Sequence, residues 1–416
     1  MLAAYLAVIA ALAAFAVAGG VVVFSASGPS GPLQTVAGKY SFNLFTWEVR
    51  HFPEKWLYKI GGALHGHNEP PDEQVLQQYF SLTQEMSQIE SQDPNSAQLA
   101  ADEKQRASLE NTVESIIEGR VTSILEEQGL TIGPPPFTDM NVVFPPVDFE
   151  FDQPPRVLVT SPRDRIQLTH DYLLTPGISP DEIEKIEAQA EQEPNTSALV
   201  VQSGGVATYP SVEDNLDGYD NLVEIVCHEW THQYLSFFPL GSQYFKSSEL
   251  RTINETVATI AGQQLAAAYF QKYPHLDLTP SPTPMPSAGP PTSPSPSPAA
   301  TPAPSAQPFD FTTAMRDLQR QVQDLLAQGK VSEAESLMNE KRDEFAVKGY
   351  FIRKLNQAYF AFYGFYGTGA GSIDPIGPKV QQLYADAASP GEFLRQARAV
   401  TSQADLDRII EEYGSS

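Results

Sequence analysis

The chain has 416 residues, with 26 Lys+Arg against 51 Asp+Glu and a formal charge of −25. That length suffices for two or three domain-sized units, while so acidic a balance, without a Lys/Arg cluster, argues against a nucleic-acid partner. The single cysteine, Cys227, excludes intrachain disulfides, thiolate zinc clusters and multi-cysteine iron–sulfur ligation.

In chain order, residues 2–24 come first, an apolar run without one charge. At about 1.5 Å per residue it covers the roughly 30 Å core of a bilayer. The expectation is a membrane-spanning helix, with residues 1–27 as the anchor. A cleavable signal peptide ending at Ser25-Ala26-Ser27 is the rival; its apolar region is long and no basic residue precedes it. Lys39, Arg50, Lys55 and Lys59 follow the span, which by the positive-inside rule keeps the bulk of the chain in the cytoplasm. The acidic, Pro/Ser/Thr-rich remainder points to the opposite side. The resulting expectation is a single-pass cell-membrane protein with an extracytoplasmic catalytic part. Residues 42–64 mix Phe, Trp and Tyr with Arg and Lys, suiting the membrane interface or a packing helix.

Residues 69–130 are polar, acidic and helical in pattern. Val113, Ile116, Ile117, Val121, Ile124 and Leu125 recur at spacings that share one face. The break at Gly133-Pro134-Pro135-Pro136 closes a region, residues 28–136, expected as a helical juxtamembrane spacer, with docking on the catalytic unit as the alternative. Beyond it, residues 156–160 and 197–201 are β-branched runs suited to strands. Between them Ser179-Pro180-Asp181-Glu182 opens a helix, with Ser at the N-cap and Pro at the first helical position. Residues 211–276 read as helical. Proline, at 35 residues against a typical one in about twenty, is concentrated in the uncharged stretch 279–308, which should be extended and solvated. Residues 310–366 are helical again, with Gly329 as a stop and a new start at Ser332. They end in an aromatic stretch that contains Asn356, Tyr359 and Tyr363.

The chemistry-bearing motif is His228-Glu229-Trp230-Thr231-His232. On a helix the histidines at i and i+4 share a face, so both imidazoles can hold one zinc ion. Glu229, following the first histidine, can then serve as general base toward water. Leu222, Val223, Ile225, Val226, Trp230 and Leu235 supply the buried side of such a helix. Downstream lies Asn254-Glu255-Thr256-Val257-Ala258.

HExxH followed by Asn-Glu-x-x-Ala resembles the gluzincin metallopeptidases, over roughly residues 197–262. The resemblance implies His228, His232 and Glu255 as ligands of one zinc per chain, Glu229 as base and proton shuttle, and a peptide or protein substrate. Glu249 is the competing acid, without the preceding Asn. The resemblance also implies an edge strand upstream of the HExxH helix that pairs with substrate; residues 199–209 fill that place, with Gly204, Gly205, Val206 and Ala207 as substrate-binding positions. The acid by which zinc aminopeptidases bind a free amine is missing between Gln202 and Tyr209. Where thermolysin-like enzymes carry a histidine-supporting Asp, this chain has Thr259, which leaves Glu224 as a candidate support or a solvated acid. Peptide hydrolysis further requires an electrophile for the oxyanion. Tyr359 is the candidate, with Asn356 on the same face as a substrate contact and packing as the competing role.

The expected fold is therefore α+β and mainly helical. An N-terminal transmembrane helix precedes a zincin-like catalytic domain (137–416) with a small sheet and a helical C-terminal part, interrupted by an insertion at 279–308. The expected function is a membrane-anchored zinc peptidase; the alternative is an inactive, zinc-stabilised envelope scaffold. Oligomeric state is not legible.

Overall fold

The computed structural model describes residues 37–44, 46–47, 71–133, 141–214, 218–278 and 309–414. Helix α1 (Asp72–Gln92) buries Val75, Leu76, Tyr79 and Phe80, and α3 (Glu110–Glu127) buries Val113, Ile117, Val121, Ile124 and Leu125. Both sets recur at three- and four-residue spacing, which makes one stripe on each helix. Helix α2 (Ala97–Ala107), between them, buries no residue.

The stripes meet the apolar sides of α5 (Tyr219–Leu235) and α6 (Ser248–Lys272) in one hydrophobic cluster. Three C-terminal helices, α10 (Ile376–Asp386), α11 (Pro390–Ala397) and α12 (Gln403–Tyr413), complete that cluster. The region expected as a spacer is thus docked on the helix pair that carries the motif, because its apolar stripe is buried there.

Strand β4 (Arg156–Pro162) lies between β5 (His170–Leu174) and β6 (Thr196–Gln202), antiparallel to both. Side chains alternate across this sheet. Leu158, Ala198 and Val200 pack with Ile183, Ile186 and Ala190 of α4 (Pro180–Ala190) on one face. Val157, Val159, Leu199 and Val201 pack with Ala358 and Phe362 of α9 (Gln357–Tyr363) on the other.

Two further sheets are small. Strands β1 (Thr131–Ile132) and β2 (Val142–Val143) form an antiparallel pair. In the second, β8 (Ser211–Glu213) lies between parallel β3 (Phe149–Phe151) and antiparallel β7 (Gly205–Val206). The outer side of β3 is closed by α3, where Glu118 and Glu114 accept from the Phe149 and Phe151 amides at 3.2 and 2.8 Å. Where one small sheet was expected, the described residues contain three.

Helices α7 (Phe311–Ala327) and α8 (Val331–Val347) form a hairpin around Met315, Leu318, Val322, Ala334, Met338 and Phe345. Gly329, at φ +73°, makes the expected stop between them.

The expected fold class needs correction. No helix among the described residues is long and apolar enough to cross a membrane, and the fold is mainly helical with small sheets. The two longest, α1 and α6, fail on polarity rather than length: acidic, basic and amide side chains interrupt every turn or two. Residues 2–24, on which the span was expected, and the Pro-rich stretch 279–308 lie outside the described residues.

Candidate metal centre

Helix α5 has two working sides. Val223, Val226, Cys227 and Trp230 enter the core, and the Trp230 indole N–H donates to the Pro145 carbonyl at 2.9 Å. His228 and His232 face α6. The two helices come close because α6 carries Gly262 there: a Cβ at that position would lie 3.0 Å from the Glu224 carbonyl and 3.1 Å from the His228 Cβ. Glycine removes the atom that would hold the helices apart.

The approach brings Glu255 of α6 against both imidazoles. His228 Nε2 and His232 Nε2 are 3.1 Å apart, and Glu255 Oε2 stands 3.8 and 3.4 Å from them. Zinc held tetrahedrally at roughly 2.0–2.1 Å separates its donors by about 3.3 Å. The three distances therefore outline one face of such a tetrahedron. Two imidazoles and a carboxylate are also a donor set suited to zinc. The three side chains keep 9–18% of their surface exposed, so the group is not sealed from solvent.

The ligands are themselves held. Asn254 Oδ1 lies 2.7 Å from His232 Nδ1, which makes Nδ1 the protonated nitrogen and leaves Nε2 for the metal. The Tyr244 hydroxyl donates to Glu255 Oε1, so Oε2 alone faces the histidines. Sequence reasoning assigned neither role. The Asn was visible only as the neighbour of Glu255, and Tyr244 lies in the α5–α6 connection, where no periodicity marks it. No hydrogen bond joins Glu224 to His228, and Thr259 donates to its own helix at the Glu255 carbonyl, 2.8 Å away.

Charge is strongly coupled in the metal-free centre. Burial, helped by His232, holds His228 down to about 3. Burial works in the same sense on His232, but the Glu255 carboxylate outweighs it and lifts His232 to about 9. Burial would raise Glu255, yet His232 chiefly, with His228 and the Tyr244 hydroxyl, brings it to about 2.

Glu229 reaches toward β7. The residue is 7% exposed, and burial, to which Glu255 adds and which His232 opposes, pushes its carboxyl above the ordinary glutamate value. A Cβ on Gly205 would sit 2.9 Å from Glu229 Oε1 and 2.5 Å from Glu213 Oε2. A larger residue here would have to push both carboxylates aside.

The expected substrate strand is split by the fold. Residues 196–202 belong to β6, whose outer edge is closed by side chains. The Ala198 and Val200 amides donate to Glu191 and Glu187 at 3.3 and 2.7 Å, and their carbonyls accept from Asn356 and Arg353 at 2.9 and 3.0 Å. Gly204, Gly205, Val206 and Ala207 instead run through β7, half-buried or exposed, with no strand on their outer side among the described residues.

Two expected residues have capping and packing contacts. Asn356 is the N-cap of α9: its Oδ1 accepts from the Tyr359 amide at 3.0 Å while its Nδ2 holds the β6 edge. Tyr359 packs on Tyr363, with ring centroids 4.5 Å apart, among the side chains between α9 and the sheet. Tyr359 and Tyr363 do share a face of α9, and that face is packed.

The chain then turns through Gly364 and Gly367, and Tyr366 between them feels the charges of Glu255 and Glu229. The Gly367 amide donates to Thr256 Oγ1 at 3.0 Å, beside Glu255. Burial first, then the charges of Glu255 and Glu229, raise the Tyr366 phenol well above its ordinary value. It stays a hydroxyl donor at any working pH.

Comparison of the chain with family models, with curated proteins and with solved structures returned no match.

Proposed function

We propose that the protein is a zinc-dependent peptidase of gluzincin type. What carries this reading is one coincidence: the His228–His232–Glu255 triangle stands next to a buried Glu229 carboxylate, and that carboxylate lies against an open strand edge at Gly205. A stabilising metal needs the first feature and has no use for the other two.

Zinc, when bound, supplies a Lewis acid for the scissile carbonyl and lowers the pKa of water. The chain's own groups do the rest. Backbone groups of Gly205 and Val206 hold an extended peptide by strand addition. Glu229, made more basic by burial, takes a proton from the attacking water and delivers it to the leaving amine. The Tyr366 hydroxyl donates to the oxygen on which negative charge develops. Asn254 and Tyr244 keep His232 and Glu255 from rotating out of place.

Metal analysis of the purified full chain should find one zinc per molecule. Glu229→Gln should retain that zinc and lose hydrolysis of a peptide library by roughly a hundred-fold or more. A chain without stoichiometric zinc sinks the reading. Zinc-loaded protein that cleaves no peptide, with or without Glu229, supports a metal-stabilised scaffold instead.

A further inference from the structure

Arg251 lies on α6 one turn before Glu255, and the reaction derived above does not use it. Its Nη1 donates to Asp171 Oδ2 of β5 at 2.8 Å. Its Cζ stands 4.5 Å from the Phe365 ring centroid and 5.3 Å from that of Tyr244. The Nε–H is buried and has no partner, and Nη2 makes no hydrogen bond among the described residues. Nε and Nη2 are the side of a guanidinium that grips a carboxylate with two parallel bonds. Arg163 of this protein shows that grip on Glu335, at 2.7 and 2.6 Å. In Arg251 the same fork is present and uncommitted.

The fork is close to the metal centre. Tyr244 stands between them: its ring meets the His232 ring edge-on at 6.2 Å, its hydroxyl reaches Glu255, and its ring also meets Arg251. Positions i and i+4 of a helix are about 6 Å apart at Cβ, and an extended peptide advances about 3.3–3.6 Å per residue. A carboxylate on the fork would therefore belong to a residue at or next to the cleaved bond. A buried cationic donor without an acceptor is unfavourable in a folded protein, and the Arg251 Nε–H is such a donor.

We propose that Arg251 is a receptor for a substrate carboxylate, so that the protein acts on peptides carrying a negative charge within one or two residues of the scissile bond. The position of that bond rests on the peptidase reading; the carboxylate site itself does not. The charge has two sources, a free C-terminus or an acidic side chain.

The test is calorimetric binding to the zinc-loaded full chain carrying Glu229→Gln. Three N-acetylated tripeptides serve as probes: trialanine acid, trialanine amide, and an Ala-Ala-Asp amide. The acid, the Asp amide, or both should bind roughly ten-fold or more tightly than the uncharged amide, and which of them does so identifies the source. Adding Arg251→Gln or Arg251→Lys should collapse the difference. Asp171→Asn, which breaks the ion pair but leaves the fork, should keep it and controls for loss of folding. Equal affinity for all three peptides overturns the proposal without recourse to any Arg251 variant. So does a preference that survives in a folded Arg251→Gln protein, since the carboxylate would then be on the metal. A carboxylate preference in a protein whose Glu229 form cleaves none of the three leaves the site standing and overturns the peptidase reading alone.

Discussion

His228 and His232 share a helix, a face and a buried setting, yet without metal they titrate in opposite directions. The difference is contact with Glu255: burial wins at His228, held to about 3, and the carboxylate wins at His232, raised to about 9. For stability the signs are opposite too. Between 6.5, the ordinary value, and 3 the unfolded chain binds the proton that folded His228 refuses, so stability falls with acidification. His232 contributes fully below 6.5, and its contribution is lost as pH rises through 9. NMR titration of the metal-free protein should show one imidazole moving near pH 9 and another unmoved down to about 3. Because zinc must displace the His232 proton, its apparent affinity should rise about ten-fold per pH unit from neutrality toward 9. A pH-independent affinity would contradict the ion pair. The tyrosines separate as sharply. Tyr366→Phe should lower kcat/KM by about a hundred-fold at unchanged zinc content, whereas Tyr359→Phe, a change within packed side chains, should leave kcat/KM near wild type.

At the scale of elements, the centre depends on how closely α5 and α6 approach. Gly262→Ala places a methyl group 3.0 Å from the Glu224 carbonyl and 3.1 Å from the His228 Cβ. Backbone cannot yield as a side-chain tip can, so one helix must shift, at a cost of about 1–3 kcal/mol. The same shift moves His228 relative to Glu255. Denaturant unfolding and zinc titration should therefore report loss of stability and weaker zinc binding together; loss of stability alone would mean that the centre tolerates the displacement. The strands make a complementary point. Side chains occupy the β6 and β3 edges, and among the described residues β7 has no strand on its outer edge beside Glu229. Closed edges cannot accept a peptide.

For the molecule as a whole, the metal ligands come from two helices of the largest core cluster. Zinc binding should therefore add to global stability, by about 2.7 kcal/mol at a free concentration a hundred times Kd. Thermal unfolding with zinc and with a chelator should show a clear difference in Tm. Equal values would mean that the three donors do not hold the ion in the folded state. Arg251 ties this core to the β5–β4–β6 sheet through Asp171, and the loop carrying Tyr366 is pinned just after that residue. Thr256 holds the Gly367 amide, and Arg316 of the α7–α8 hairpin donates to the Thr368 and Gly369 carbonyls at 2.9 and 3.1 Å. The hairpin thus supports the position of a residue it does not itself carry.

What the sequence alone determined is local and periodic. An i, i+4 pair of histidines must share a helical face, β-branched runs at 156–160 and 197–201 favour strands, and Gly329 can end a helix; all three are in the structure. The apolar stripe of α3 was equally legible, but not what it would cover. Tertiary structure decided which tyrosine feels the charges of Glu255 and Glu229, because Tyr366 lies beyond the end of α9, outside the periodicity from which Tyr359 was chosen. It decided which strand edge stays open, because the groups closing β6 come from α4 and from the segment entering α9. It also left the fork of Arg251 uncommitted beside the His228–His232–Glu255 group. A helix or strand pattern is set by neighbours a few residues apart, whereas a site is set by which distant side chains remain without a partner once the chain has packed.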